Sequence, residues 1–107
     1  MLRYTVMRST DPSVLIMASL AEGPKHGYAI THDVHEIAGV KLGPGTLYGA
    51  IARLEARNLI EPLQTDDRRR PYRLTGSGAA VLRERLTAQE RVARLGLRRL
   101  SAAEARA

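Results

Sequence analysis

Residues 43–75 read GPGTLYGAIARLEARNLIEPLQTDDRRRPYRLT, a helix pattern followed directly by a hairpin pattern. Pro44 suits the first position of a helix, because the N–H that proline lacks would have no partner there anyway. Leu47, Ile51 and Leu54 then recur at spacings of four and three, which places them on one helix face. The stretch therefore predicts an amphipathic helix that begins near Pro44.

The opposite face of this helix is small and polar near its start. Gly45, Thr46 and Gly49 have little or no side chain, so the backbone there can approach a base edge or a phosphate closely. Arg53 follows on the same face, and Tyr48 lies beside it. An ordinary surface helix could show the same composition, so this face alone does not separate a nucleic-acid contact from a solvated surface.

The second half of the stretch predicts two strands, 60–65 and 72–75, that form a hairpin. Arg68, Arg69 and Arg70 lie at its tip. A run of arginines is commonly a solvated turn, but this one follows the helix at the distance that a DNA-binding wing requires. The planar guanidinium group matches both phosphate oxygens and the guanine edge. The hairpin therefore favours nucleic-acid binding.

The N-terminal third predicts two further helices, over about 11–22 and 27–38. Asp11 followed by proline is typical of a helix start, with aspartate as the cap. The connection 39–43 is short enough for a helix-turn-helix, and it contains Lys41.

This order of elements predicts a mainly α fold with a small β-hairpin: a winged helix-turn-helix plus a long C-terminal helix. We expect a DNA-binding domain over residues 1–75 and a dimerisation helix with a frayed tail over 76–107. In such a domain the third helix enters the major groove and the wing lies beside the phosphates. The predicted DNA-binding residues are Lys41, Gly45, Thr46, Tyr48, Gly49, Arg53, Arg68, Arg69 and Arg70.

The C-terminal helix is predicted from Thr75 to about Leu100, with a broad apolar stripe. About 25 residues of helix extend about 37 Å, which is more than the small preceding domain can cover. An uncovered apolar stripe needs a partner, and a second copy of the chain is the commonest one. A helix that folds back on its own domain is the less favoured alternative. The predicted dimer interface is Leu15, Leu82, Leu86, Gln89, Ala93, Leu97 and Leu100.

Three segments together resemble the PadR family of transcriptional regulators: AEGPKHGYAI at 21–30, GTLYGAIARLEARNLIE at 45–61 and RRRPYRLTGSG at 68–78. The resemblance extends over about residues 12–82 in register. It implies a winged-helix domain that binds a pseudo-palindromic double-stranded DNA operator, a C-terminal dimerisation helix and repressor activity. It also implies a small-molecule effector, often aromatic or cationic. Gly49 departs from the family pattern, in which proline often follows the GTLY tetrad.

Composition agrees with a single small domain that acts on nucleic acid. The 107 residues have a net charge of +6, with −1 over 1–40, +3 over 41–75 and +4 over 76–107. A basic balance favours nucleic acid without choosing between DNA and RNA. The helix-and-wing pattern favours duplex DNA, because A-form RNA closes its major groove to helices. An RNA-binding winged helix and a protein-interaction module remain as alternatives.

Several classes of protein are disfavoured by the sequence. The absence of cysteine removes disulfides and thiolate metal sites, and no apolar run is long enough to span a membrane, so we expect a cytoplasmic protein. His32 and Glu36 are four residues apart with His35 nearby, but no second ligand pair occurs, and surface histidines are the simpler interpretation. We therefore expect no enzyme activity, no cofactor and no metal.

The aromatic content limits the kind of effector that the chain can hold. There is no Trp or Phe, and of the four tyrosines only Tyr4 is predicted to reach the dimer interface. Stacking on an aromatic side chain adds about 0.5–1.5 kcal/mol to binding. We therefore expect either no tight binding of flat aromatic drugs or a smaller, aliphatic or polar effector. Its predicted pocket lies at the dimer interface, lined by residues such as Leu15, Met17, Leu86, Gln89, Val92 and Ala93.

Overall fold

The computed structural model describes residues 11–65 and 68–107, so Tyr4 lies outside the described residues. Four helices and three short strands follow one another in these ranges. They are α1 (Pro12–Leu20), β1 (Lys25–His26), α2 (Gly27–Ala38), α3 (Pro44–Ala56), β2 (Ile60–Pro62), β3 (Pro71–Leu74) and α4 (Gly76–Arg106).

The predicted fold class is confirmed, and the helix boundaries follow the local signals closely. The carboxylate of Asp11 accepts a hydrogen bond from the Ser13 N–H at 2.9 Å and so caps α1. α2 spans the predicted residues, and α3 begins at Pro44 as predicted. α1 ends at Leu20 rather than Glu22, because the chain already turns there and the Gly23 N–H donates to the Leu20 carbonyl.

β2 is shorter than predicted, and β3 has the predicted length but is shifted by one residue. β2 ends at Pro62 rather than at residue 65, because only three residues face β3 in the ladder. β3 begins one residue early, at Pro71, and ends at Leu74. Thr75 leaves the strand because it caps α4, where its hydroxyl accepts a hydrogen bond from the Gly78 N–H at 2.9 Å.

The prediction of a frayed tail was wrong, since α4 continues beyond Ser101 to Arg106. The last residues, SAAEARA, include neither glycine nor proline and are rich in alanine, the strongest helix former. The Ala107 N–H still donates to the Ala103 carbonyl at 3.1 Å. With 31 residues, α4 is about 46 Å long.

The sheet has one strand more than the predicted hairpin. β3 lies in the middle of the order β1-β3-β2, and both pairings are antiparallel. Lys25 faces Tyr72 and His26 faces Pro71. The wing is therefore joined through β1 to the start of α2.

The hydrophobic core lies where α1 meets the other helices and β2. α1 is apolar on all sides, as expected of a helix that neighbours surround. Its Ile16 and Met17 pack with Ile30 of α2 and Ile60 of β2, and all four are almost fully buried. Leu42 is also buried and anchors the turn between α2 and α3.

A close backbone contact fixes where α4 starts relative to α3. Asn58 adopts a left-handed φ of 60° at the end of α3, a conformation that asparagine tolerates. The Leu59 carbonyl then accepts a hydrogen bond from the Thr75 N–H at 3.1 Å. The Thr75 hydroxyl donates to the Asn58 carbonyl at 2.7 Å. Gly78 lies directly against Leu59, and a Cβ at this glycine would collide with the Leu59 carbonyl oxygen.

Candidate nucleic-acid interface

The two faces of α3 divide as the sequence predicts. Leu47, Ile51 and Leu54 are buried in the core, and Thr46 and Arg53 are exposed on the other side. Lys41 and Gly45 are exposed before and at the start of the helix, and Gly49 is half-buried.

Gly49 leaves room for the side chain of Arg53, which extends back along α3. One terminal guanidinium nitrogen of Arg53 would lie 3.6 Å from a Cβ at Gly49. Since Gly49 is one turn nearer the start of the helix, the charge of Arg53 lies closer to Thr46 than its position in the sequence indicates. The exposed surface of α3 is therefore polar at Thr46, near the start of the helix, and basic one turn further on, where the Arg53 guanidinium lies over Gly49.

The wing presents its charge at the tip rather than along its strands. Arg73 in β3 faces Glu61 in β2, and their side chains form an ion pair at 2.8 Å. The three tip arginines, Arg68, Arg69 and Arg70, are all exposed. The basic surface that the sequence predicts therefore lies at the end of the hairpin.

Lys25 ties the wing to two helices. Its backbone pairs with β3, and its ammonium group donates to the Ser19 carbonyl at the end of α1. The same group lies 3.3 Å from a Glu22 carboxylate oxygen and 3.8 Å from one of Asp33 in α2. The side chain is only 15% exposed, so water screens these interactions less than those of a surface pair. Lys25 thus acts in positioning the wing.

A cleft of about 330 Å³ opens where the start of α2, the exposed side of α3 and the wing meet. The pairing of β1 with β3 produces this meeting, because it holds the first residues of α2 beside the tip of the hairpin. The cleft is lined by His26, Gly27, Tyr28, Tyr48, Arg68, Arg69, Arg70 and Tyr72. Four predicted DNA-binding residues, Tyr48 and the tip arginines, therefore share one concave surface.

Tyr48 packs on Gly27 at the floor of this cleft. A Cβ at residue 27 would stand 3.0 Å from the ring carbon that bears the Tyr48 hydroxyl, and closer still to the hydroxyl itself. The glycine is therefore what allows the phenol to lie against the start of α2. The Tyr48 hydroxyl is turned inward, and the side chain remains about half exposed.

Three further residues that line the cleft are not among the predicted DNA-binding residues. Tyr28 is 76% exposed, and its ring is nearly parallel to that of His26, with 6.5 Å between ring centres. His26 also caps α2, since its Nδ1 accepts from the Ala29 N–H at 3.4 Å. The third residue is Tyr72 in β3. The sequence has one tyrosine at the start of α2, one within α3 and one beside the arginines, but only the fold brings the three together.

Burial raises the pKa of the Tyr72 phenol above its ordinary value of 10.0. The carboxylate of Glu55 adds to this rise in pKa, and the Arg70 guanidinium opposes it. A raised pKa keeps the phenol protonated at neutral pH, so Tyr72 offers an O–H donor.

The residues predicted for a dimer interface fall into two groups. Leu15 and Leu82 are 6% and 5% exposed, so the chain's own core already covers them. Leu86, Leu97 and Leu100 are 40%, 66% and 60% exposed on α4, and Gln89 and Ala93 lie between them, also exposed. The leucines and Ala93 of the second group form an apolar stripe, interrupted by Gln89, that the chain's own core does not cover.

Two further features of the described ranges concern metal ligands and membrane-spanning helices. In residues 11–65 and 68–107, no group of three or more His, Cys, Asp and Glu side chains is placed to hold a metal ion. His32 is instead exposed, 4.0 Å from a carboxylate oxygen of Glu36. No helix within these ranges combines the length and the apolar character that crossing a bilayer requires.

The chain is similar in sequence to a family of known proteins. Residues 16–84 match the family described as the Transcriptional regulator PadR-like family. The chain is similar to an uncharacterized 37.1 kDa protein in transposon TN4556 of Streptomyces fradiae, with 49% identity over 76 residues. That match covers 71% of this chain and 22% of the transposon protein, so the chain spans about a fifth of that relative.

Two further similarities cover most of the other protein. A transcriptional regulator of Mycobacterium tuberculosis is 39% identical over an alignment of 82 residues, and the match covers 74% of this chain and 76% of that protein. The crystal structure of a PadR family transcription regulator from Clostridium difficile R20291 superposes with a TM-score of 0.73 and 26% identity. It covers 80% of this chain and 94% of the other.

Proposed function

The chain belongs to the PadR-like family of transcriptional regulators, whose members bind DNA, and we propose that it is a homodimeric repressor of a pseudo-palindromic duplex operator. The observation that best supports this proposal is the cleft in which the exposed side of α3, the start of α2 and the arginine tip of the wing converge. A helix and a basic wing on one surface fit the major groove and the phosphates beside it.

Base recognition is assigned to α3. Thr46 and Gly45 are exposed at the start of the helix, where little side chain separates the backbone from a base edge. Arg53 extends back toward them over Gly49, and its forked guanidinium can donate two hydrogen bonds to a guanine. Lys41 lies in the preceding turn, exposed to an approaching phosphate.

Phosphate contacts are assigned to the wing and the cleft. Arg68, Arg69 and Arg70 supply positive charge, and the phenols of Tyr28 and Tyr72 supply O–H donors from two other elements. Donors on separate elements can follow a curved backbone. These contacts would orient the protein on the duplex without reading its sequence.

Dimerisation is assigned to α4. Most of the 46 Å helix extends beyond the domain, and its exposed leucines need cover. We propose that residues 1–75 act as the DNA-binding part and 76–107 as the dimerisation part. A two-fold dimer would place two α3 helices in successive major grooves, about 34 Å apart.

A small-molecule effector is also part of the proposal. A second cleft, of about 410 Å³, lies where α1, α3 and α4 meet, with Met17 and Leu59 among its apolar residues. Arg53 of α3 and Arg57 just after it line the same cleft. Arg85 of α4 also lines it, and its guanidinium lies 3.4 Å from the Asp11 carboxylate. A ligand there would contact both the DNA-reading helix and the dimerisation helix.

Replacing Arg68 or Arg70 by alanine is expected to weaken binding to every duplex by a similar factor. Each phosphate contact releases condensed counterions, so affinity falls as salt rises. Loss of one contact should therefore make the negative slope of log K against log salt shallower by about 0.9. Fluorescence anisotropy over a series of salt concentrations measures that slope. If the slope stays unchanged while sequence preference shifts, the tip arginines read bases instead.

Thr46→Val is the matched comparison, because it keeps the shape of the side chain and replaces only its hydroxyl by a methyl group. We expect the preferred sequence to change and the salt slope to stay at the wild-type value. An RNA-binding or protein-interacting winged helix would show no preference among duplexes in either variant, which separates those alternatives from the proposal.

A further inference from the structure

The aromatic residues of this chain are concentrated in one place. The sequence has no Trp or Phe, and all three tyrosines within the described ranges line the cleft between α2, α3 and the wing. His26 adds a fourth ring. Aromatic side chains usually contribute to a hydrophobic core, but Tyr28 is 76% exposed and Tyr48 52% exposed.

The orientation of these rings matters for what they can bind. The Tyr48 hydroxyl is turned in against Gly27, so the exposed half of this side chain is largely ring rather than donor. Tyr28 is nearly parallel to His26, at an angle of 19° between ring planes. A phosphate on a duplex backbone binds hydrogen-bond donors and cations, and the faces of aromatic rings offer neither. Ring faces bind another planar ring whose own face is free.

Charge and size complete the description of the ligand. Arg68 and Arg70 stand at the rim of the same cleft, where their guanidinium groups can bind an anion. The volume of about 330 Å³ is near the lower limit for small-molecule sites and suits one planar ring with its phosphate. In duplex DNA the base faces are stacked on one another, so only an unpaired nucleotide offers both groups together.

We propose that this cleft binds a single unpaired nucleotide, with its base on the faces of Tyr28 and Tyr48 and its phosphate on Arg68 and Arg70. The nucleotide could be free in solution or part of a single strand, since both offer the same base and phosphate. Because the arginines are also the proposed duplex contacts, an occupied cleft would exclude the operator phosphates. The nucleotide site itself does not require that the chain bind duplex DNA.

Calorimetric titration of the full chain with adenosine 5′-monophosphate, ribose 5-phosphate and inorganic phosphate tests the proposal. The monophosphate is expected to bind at least about five-fold more tightly than ribose 5-phosphate, the factor expected from weak stacking of a base on one aromatic side chain. Tyr28→Leu should remove this advantage and Tyr28→Phe should keep it. Arg70→Gln should weaken all three ligands similarly.

Gly27→Ala provides a second variant, which retains every aromatic side chain but displaces Tyr48. The added Cβ would collide with the Tyr48 hydroxyl, which is the far end of a flexible side chain and can swing away. We expect near-normal thermal stability and a reduced advantage of adenosine 5′-monophosphate over ribose 5-phosphate.

A short oligothymidine in the same titration distinguishes the two sources of the nucleotide. Preference for the oligonucleotide identifies a single strand, and equal affinity per site identifies the free nucleotide. If neither ligand binds more tightly than ribose 5-phosphate, or if Tyr28→Leu leaves the advantage intact, the proposal is wrong. Duplex binding in a separate assay can succeed or fail independently of this result.

Discussion

Gly78→Ala is expected to destabilise the protein by about 1–3 kcal/mol, although alanine in place of glycine normally stabilises a helix. The added Cβ would lie 2.8 Å from a Leu74 methyl group and 2.9 Å from the Leu59 carbonyl carbon, and it would collide with the carbonyl oxygen. Backbone atoms cannot rotate away, so α4 must shift relative to α3. Denaturant titration measures this loss, and each kcal/mol should lower Tm by about 4–8 °C.

Gly76→Ala is the control for this prediction. It makes the same change in the same first turn of α4, but a Cβ at residue 76 meets nothing within 4 Å. Its stability should equal or slightly exceed that of the wild type. Equal stability of both variants would mean that α4 does not pack on Leu59 in the way described.

Leu97→Glu is expected to convert the protein to monomers and to weaken operator binding by about 10²–10⁴-fold. Leu97 is 66% exposed in the single chain, so glutamate there should not disturb folding. In a dimer the same carboxylate would be buried between two α4 helices, which costs free energy of association. Loss of the second DNA-binding domain removes the gain that comes from linking two sites. Sedimentation velocity gives the mass, and anisotropy with a labelled duplex gives the affinity.

Leu86→Glu should have the same effect from the other end of the exposed stripe. Arg98→Gln is the matched control, since it lowers the charge by one unit, as Leu97→Glu does, at a neighbouring position off the stripe. It should remain dimeric. An unchanged dimer in both leucine variants would remove α4 from the interface.

Local sequence signals predicted most of the helical structure. Pro44 marks the start of α3, Thr75 caps α4, and α2 has its predicted bounds, because capping and helix-breaking act within a few residues. The end of α4 was predicted wrongly, because the helix propensity of alanine continues the helix beyond Ser101 although the apolar stripe ends at Leu100.

The sheet and the cleft could not be predicted in the same way, because they depend on contacts between distant residues. β1 has only two residues, which is too short for an alternating pattern, and its pairing with β3 depends on the folded positions of α1 and α2. The contact of Gly27 with Tyr48 likewise joins residues of two different helices. Only the structure therefore shows that Tyr28 lies beside the wing and that Tyr72 shares a cleft with it.

The most direct test of a sequence-specific dimeric DNA-binding protein is to footprint the full chain on the duplex upstream of its own gene. Anisotropy then compares the protected sequence with a shuffled duplex of the same composition. We predict protection of two half-sites about 34 Å apart and affinity at least about 10³-fold above that for the shuffled duplex. Equal affinity for the two duplexes, with no protected region, would contradict the account.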